Sequence, residues 1–394
     1  MIIASKSSQR HLCEPLSIIK KNKMKHALIL LSYMITICGY SQTDVKLVIT
    51  LNNIESDTLL LAKSHEDLRY HGVKIPVENN KRLEYDFSPE HIEEYVLVYK
   101  SEHDNGMYRP ISFFPSSPRI EFELYPSNQY DNNKITGDEL GIRKSIYQTS
   151  FGNKFMKTGN EIYGSFFSSE ENSAERKRAK IRLDSLNNAA LEYHHEYFKD
   201  DNSILALNEY VEILKNAEQM MIEPKVLQRF HQEIIKKEFN HPLAEKANNL
   251  FTALSSLKVG EKYVNIQLDA ADQSQIELSD KIISGQYTLL DLWAPWCGPC
   301  IRKSKKLKNY YSSFNNKLNI VGIVGGVTSI DEALKAIDKY EYPWSTYLEV
   351  SDKNQIWEKY NISRSGGAQF LINDKGVIIS INPTINELQS LVNE

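Results

Sequence analysis

Apolar and polar positions divide the chain into stretches of different texture. From about residue 44 to 137, Val45–Leu51, Thr58–Leu61, Arg82–Phe87, Tyr95–Tyr99 and Arg119–Leu124 are short and rich in β-formers, and several alternate with period two. That period sets one face of a run against a core and predicts half-buried strands. Asn79-Asn80, Ser88-Pro89 and Pro115-Ser116-Ser117-Pro118 fall between the runs as turns. Short strands at this spacing predict a small antiparallel sandwich or barrel.

From about 138 to 254 the apolar spacing becomes helical. Residues 171–199 and 203–220 predict amphipathic helices, with Leu183, Leu186, Leu191 and Tyr193 among the buried candidates. Pro224 and Pro242 punctuate later helices, and His194-His195 reads as surface decoration. From about 255 the pattern is mixed. Val264–Leu268 and Gln275–Leu278 suggest a hairpin, and Thr288–Trp293 is a continuous apolar run of the buried-strand type. A helix over 298–314, a strand over 318–324, a helix over 330–340, strands at 369–372 and 377–381 around Asp374-Lys375-Gly376, and a closing helix over 384–393 follow. The predicted fold class is therefore α+β multidomain: a β-rich domain over 42–137, a helical segment over 138–254, and an α/β domain over 255–394.

Residues 1–41 do not fit that series. Lys20, Lys21, Lys23 and Lys25 precede an apolar run from Ala27 through Ile37, too short and poorly flanked for a bilayer-spanning anchor. The pattern predicts a signal peptide, with Gly39 and Ser41 as the small residues before a cut at Gln42. Met24 is then the expected start, with residues 1–23 an upstream extension. The competing arrangement is a lipoprotein anchored to the envelope through an acylated Cys38, although Ile37 is bulky where a small residue is preferred.

Composition sharpens the picture only after cleavage. The whole chain has 394 residues, a formal charge of −4 and four cysteines, too few for a disulfide scaffold. Removing 1–41 takes away six of the 47 basic residues and one of the 51 acidic ones, leaving 41 against 50, a net charge of −9. No nucleic-acid partner is expected of such a chain. The cysteine count falls to two, Cys297 and Cys300, in a chain predicted to be exported to the periplasm.

Those two stand in Asp291-Leu292-Trp293-Ala294-Pro295-Trp296-Cys297-Gly298-Pro299-Cys300, at a predicted strand-to-helix junction. A cysteine at a helix N-terminus is favoured as thiolate by the helix dipole and the free N–H groups. Cys300, one turn further on, is placed to attack a mixed disulfide made by Cys297. Gly298 and Pro299 suit the tight entry into the helix. Asp291 is a candidate buried carboxylate to accept or relay the Cys300 proton; the alternative is a satisfied buried acid with no chemistry. A zinc site would need further ligands, and residues 255–394 contain no histidine and no second cysteine pair. No metal or cofactor is therefore expected. The run Arg302, Lys303, Lys305, Lys306 and Lys308 makes a basic helix, read either as a solvated face or as a dock for an acidic client.

The string Asp-x-Trp-Ala-x-Trp-Cys-Gly-Pro-Cys resembles the active site of the thioredoxin superfamily. The lead-in from Gly260 through Leu278-Ser279-Asp280 is similar to that of the exported TlpA/ResA-like thiol–disulfide oxidoreductases. This resemblance covers about 255–394. The segment closing near Ile135-Thr136-Gly137 is similar to an uncharacterised N-terminal domain often fused to such proteins. The resemblance implies a thioredoxin-like fold and reversible thiol–disulfide exchange, with Cys297 as nucleophile, Cys300 as resolving thiol, Trp296 shielding the pair and Asp291 as proton acceptor. It also implies disulfide-containing envelope proteins as clients and a membrane thiol electron donor. Two positions depart from the family pattern. Gly367 stands where a cis-proline is usual, and a non-proline cis bond costs about 3 kcal/mol, so this loop is expected to be trans or differently shaped. Lys305 replaces a common proline, which should leave the helix straighter. The competing function is a non-catalytic binding or scaffold protein with a structural disulfide; a thiol peroxidase is a third reading, which the dithiol does not favour.

Overall fold

A computed structural model describes residues 44–66, 68–314, 317–362 and 366–393. The expectations placed on residues 1–41, including Met24 and Cys38, lie outside the described residues.

Eight strands form the first region: β1 (Val45–Leu51), β2 (Thr58–Lys63), β3 (Val73–Pro76), β4 (Arg82–Phe87), β5 (Tyr95–Tyr99), β6 (Ile111–Phe113), β7 (Arg119–Leu124) and β8 (Lys134–Thr136). They make two four-stranded sheets, β4-β1-β7-β8 and β3-β2-β5-β6. Leu47, Ile49 and Leu51 of the first sheet and Leu59, Leu61 and Leu97 of the second meet in one cluster with Phe113 and Phe122. Each such side chain contributes about 1.5–3 kcal/mol by leaving water. The opposite faces of β2 and β5 are buried too, Leu60, Val96 and Val98 packing with Leu68, which is why those strands read as unbroken apolar runs. Pairing is not uniformly antiparallel: β1 runs parallel to β7. The whole second sheet lies between those two strands in sequence, so no tight turn forces β7 to run back against β1.

Helices occupy 139–256: Glu139–Ser168, Ala174–Phe198, Ile204–Asn216, Pro224–Ile235 and Pro242–Ser256. Asp138 caps the first of them, accepting from the Gly141 N–H at 2.8 Å and also from the Phe114 N–H at 3.1 Å, so one carboxylate ties the helix to the end of β6. Burial pushes its pKa up to about 6 against those two donors. Pro224 and Pro242 each sit in a first helical turn, where the missing N–H costs nothing. His194 is not on the surface. It is buried, its Nδ1 lies 2.9 Å from the Tyr147 hydroxyl, and burial pushes its pKa down to about 3. Period counting along a polar helix could not see that Glu139–Ser168 would cover this face.

The last region is one seven-stranded sheet: β9 (Gln267–Asp269), β10 (Gln275–Glu277), β11 (Tyr287–Trp293), β12 (Leu318–Val327), β13 (Ser345–Val350), β14 (Gly367–Ile372) and β15 (Ile378–Ile381), in the order β10-β9-β13-β12-β11-β14-β15. β11, β12 and β13 run parallel, while β14 is antiparallel to both β11 and β15. Alternation along the central strand decides the site. Leu290 and Leu292 face a core with Ile356, Trp357 and Tyr360, whereas Leu289 packs with Leu307 and Leu388 on the opposite face. Asp291 shares the Leu289 parity and so faces the helix Gly298–Tyr310. β13 escapes the apolar pattern because Glu349 lies inside it. That carboxylate is fully buried and accepts from the N–H groups of Asn354 and Ile356 at 3.0 and 3.3 Å, and burial pushes its pKa up to about 7.

Candidate redox site

β11 ends at Trp293, and the chain turns through Ala294-Pro295-Trp296 into the helix Gly298–Tyr310. Cys297 is the residue before the first helical turn. Its N–H donates to the Ala294 carbonyl at 3.0 Å, and its Sγ accepts from the Cys300 N–H at 3.3 Å. The helix therefore presents a free N–H to this sulfur, the arrangement that favours thiolate in the reduced state. Cys297 and Cys300 form a disulfide with Cα atoms 5.3 Å apart. Only 8% of Cys297 is exposed, while Trp296 beside it is 40% exposed. Gly298 and Pro299 are the first two helical residues.

Asp291 lies beneath the pair, 2% exposed. Its Oδ2 accepts from the Ser304 hydroxyl at 2.8 Å and its Oδ1 from the Gln369 amide at 2.9 Å. Burial raises its pKa, and Gln369, Ser304 and the charge of Lys303 act in the opposite direction. Its hydrogen-bonding partners are neutral donors, so the carboxylate keeps an appetite for a proton. Asp291 and Cys300 line one cavity of about 130 Å³, together with Pro299, Lys303, Gly367, Gln369 and Asn382. A space of that size is large enough to hold water.

Ser304 lies four residues beyond Cys300, on the same helix face, so helical spacing could have found it. Gln369 reaches Asp291 only because β14 pairs with β11 in the register Asp291↔Gln369. Lys303 is half-buried, unlike the exposed Arg302, Lys305 and Lys306 of the same helix. Burial lowers its pKa, and its Nζ donates to the Asn382 Oδ1 at 3.2 Å, at the edge of the same cavity.

Two glycines before and at the start of β14 make close backbone approaches here. A Cβ on Gly366 would stand 2.6 Å from the Cys297 Sγ, so the backbone passes directly over the disulfide. Gly367 opens β14 with φ +155°, and a Cβ there would meet the Leu292 carbonyl oxygen at 1.9 Å. Among the described residues no peptide bond is cis. The glycine in the proline-equivalent position thus sits in a close backbone approach that a larger residue could not enter. Trp296 is held at the rim by donating from Nε1 to the Gly326 carbonyl at 3.2 Å, and the Arg69 guanidinium of the first region lies 4.4 Å from its ring centroid. Among the described residues there is no cluster of three His, Cys, Asp or Glu side chains able to hold a metal ion.

Residues 259–381 match the model of the AhpC/TSA family. The thiol-disulfide oxidoreductase ResA of Bacillus subtilis is 24% identical over 136 residues, which are 34% of this chain and 72% of that protein. The thioredoxin-like protein YneN of the same organism is 25% identical over 139 residues, 34% of this chain and 79% of that protein. Among solved structures, the thioredoxin domain of a thiol-disulfide oxidoreductase from Bacteroides vulgatus is 23% identical and covers 35% of this chain and 97% of its own, with a TM-score of 0.31. A thiol:disulfide interchange protein from Bacteroides sp. is 22% identical and covers 35% of this chain and 89% of its own, also with a TM-score of 0.31. The C-terminal part of the chain carries a thioredoxin-like domain, and its relatives in sequence include a thiol-disulfide oxidoreductase and a thioredoxin-like protein. They support a redox function in general terms.

Proposed function

We propose that the protein is an exported thiol–disulfide oxidoreductase that reduces disulfides of envelope proteins through Cys297 and Cys300. The observation that carries this reading is the placement of the disulfide at a helix N-terminus, above a cavity that joins Cys300 to the buried Asp291. In the reduced protein the Cys297 thiolate attacks a client disulfide, forming a Cys297–client bond and releasing one client thiolate. Cys300 then gives its proton to Asp291 and attacks the Cys297 Sγ. The bond to the client breaks, the second client thiolate leaves, and the Cys297–Cys300 disulfide forms. Two electrons have moved to the client, and a membrane thiol donor returns the protein to its dithiol form. Trp296 covers one side of the nucleophile, while Gly298, Pro299 and Gly367 keep its surroundings narrow.

In this reading 42–137, 138–254 and 255–394 are the three parts of the mature chain, and the periplasm is its compartment. The test is reduction of insulin by the pre-reduced full chain. Turnover should be lost in Cys297→Ser, and Cys300→Ser should accumulate a mixed disulfide on Cys297. Equal inertness of wild type and Cys297→Ser towards every disulfide would sink the enzyme reading and leave the binding or scaffold protein standing.

A further inference from the structure

Three helices of the middle segment leave a cavity of about 190 Å³ between them. His194 and Phe198 of the helix Ala174–Phe198, Tyr210 of Ile204–Asn216, and Phe230 and Ile234 of Pro224–Ile235 line it, and all five are buried. Two polar atoms among them are unpaired. His194 is 4% exposed, and its Nε2 has no hydrogen-bond partner among the described residues. Its Nδ1 lies against the hydroxyl of Tyr147, which does not line the cavity, so Nε2 is the ring nitrogen left for it. Tyr210 is 1% exposed, and its hydroxyl has no partner among the described residues either. Buried polar groups are nearly always paired, so two orphans on one otherwise apolar lining mark a place that a ligand completes.

The remaining lining is charged and closer to water: Lys199 is exposed, and His195, Glu233 and Lys237 are half-buried. Glu233 is already matched, with the His195 Nδ1 3.0 Å from its Oε2 and the Arg229 Nε 4.0 Å from its Oε1. Lys199 pairs with Glu196 at 2.9 Å. Lys237 is held differently. Its Nζ donates to the carbonyls of Phe198 and Asp201 at 2.8 and 2.7 Å, which uses two of the three N–H bonds of an ammonium on neutral acceptors. Burial lowers its pKa by more than the charges of Asp201, Asp200 and Glu233 raise it, so an anion beside it stabilises its charge.

We propose that this cavity binds a small monocarboxylate with a compact apolar body, at a site separate from the dithiol and independent of its chemistry. The apolar body lies among Phe198, Phe230 and Ile234. The carboxylate accepts from the Tyr210 hydroxyl and from the Nε2–H of His194, while Tyr147 donates to Nδ1. Burial pushes the Tyr210 hydroxyl up, which keeps its proton in place for that bond. Burial also keeps His194 neutral, so the ring has one N–H to give, and the bond at Nδ1 decides which nitrogen carries it. The Lys237 charge on the same lining favours an anion over a neutral ligand of equal shape. A benzene ring fits an apolar cavity of about 150 Å³. The 190 Å³ available here takes such a ring with a carboxylate attached.

The test titrates benzoate, benzamide and benzylamine into the full-length protein by calorimetry. Benzoate is expected to bind with a Kd of about 1 mM or tighter, benzamide about tenfold more weakly and benzylamine more weakly still. Tyr210→Phe removes only an oxygen that has no partner. It should leave the Tm of the free protein unchanged or higher while weakening benzoate about tenfold. Lys237→Met should bring the benzoate-to-benzamide ratio close to unity, and a ratio within one sample is insensitive to partial folding. A Tyr210→Phe protein that binds benzoate like wild type overturns the proposal. So does one whose Tm falls, since the hydroxyl then serves the fold. Equal affinity for benzoate and benzylamine overturns it as well, and so does the absence of saturable benzoate binding, which leaves a cavity for water alone. Insulin reduction enters none of these outcomes, so this site and the redox reading fail separately.

Discussion

Glu94 and Asp291 are both buried carboxylates, 4% and 2% exposed, and they are held in opposite ways. Glu94 stands just before β5, at the seam between the first region and the helices. It accepts from the Lys144 ammonium at 2.6 Å, and Lys144 also pairs with Glu209 at 3.3 Å. Burial lowers the Lys144 pKa, but the two carboxylates outweigh it and raise it, so this charge is fixed in place. Among the described residues, the donors to Asp291 at hydrogen-bond distance are neutral, Ser304 and Gln369. One carboxylate is neutralised by a cation and joins elements of the fold. The other is solvated by dipoles beside a cavity and remains able to take a proton. A buried acid is thus held as an ion or left open to protonation according to its partner, not its depth.

Breaking the first arrangement should have the larger effect. Lys144→Met leaves Glu94 and Glu209 facing each other without a cation, and a loss of about 3–5 kcal/mol in unfolding free energy is expected from urea titrations at pH 7. Burial already pushes the Glu209 carboxyl upward, so acidification should protonate it early and recover part of that loss. A midpoint shift no larger than that of a surface substitution would show that the pair does not hold the seam.

The second arrangement should respond in the opposite sense. The folded pKa of Asp291 is raised above its ordinary value, so the folded protein binds the proton more tightly than the unfolded chain does. Stability is therefore lost as pH rises from the ordinary aspartate value through the raised one, and Asp291 is a liability at neutral pH. Asp291→Asn should raise Tm at pH 7, by about 2–4 °C for each kcal/mol relieved, and the gain should fade below pH 4. The same variant should slow resolution of the mixed disulfide about a hundredfold, read in single-turnover experiments, with little change in the first attack by Cys297. Unchanged resolution, or lower stability at pH 7, would place Asp291 with Glu94 as a purely structural acid.

An exposed pair sets the lower end of the scale. Lys335 and Asp331 lie 2.7 Å apart on the helix Ile330–Tyr340, both open to water. Lys335→Ala should leave the urea midpoint within error, because solvent screens such pairs. A clear shift there would mean that partner charge alone, without burial, sets these effects.

Much of the last region was legible because its signals are local. The apolar run of β11, the Cys-Gly-Pro-Cys after it and the helix spacing that follows all lie within one short stretch. Where partners came from far away, reading failed or stopped short. β13 does not read as a buried strand because Glu349, next to its last residue, is buried only once the Asn354 and Ile356 N–H groups close on that carboxylate. Lys303 reads as one of a run of solvated lysines, because its partner Asn382 comes from beyond β15. His194 looked like surface until Tyr147 covered it.

By itself, the sequence determined what depends on period and neighbours: the alternation that turns Asp291 towards the site helix, the cysteine at a helix N-terminus, and the second cysteine one turn later. Tertiary structure decided what depends on register and packing. It set Gln369 opposite Asp291, laid Gly366 against the Cys297 sulfur, and brought Arg69 to Trp296 across more than half the chain. Side-chain period is written in consecutive residues, whereas strand register and inter-region contacts are fixed only when distant apolar faces are buried together.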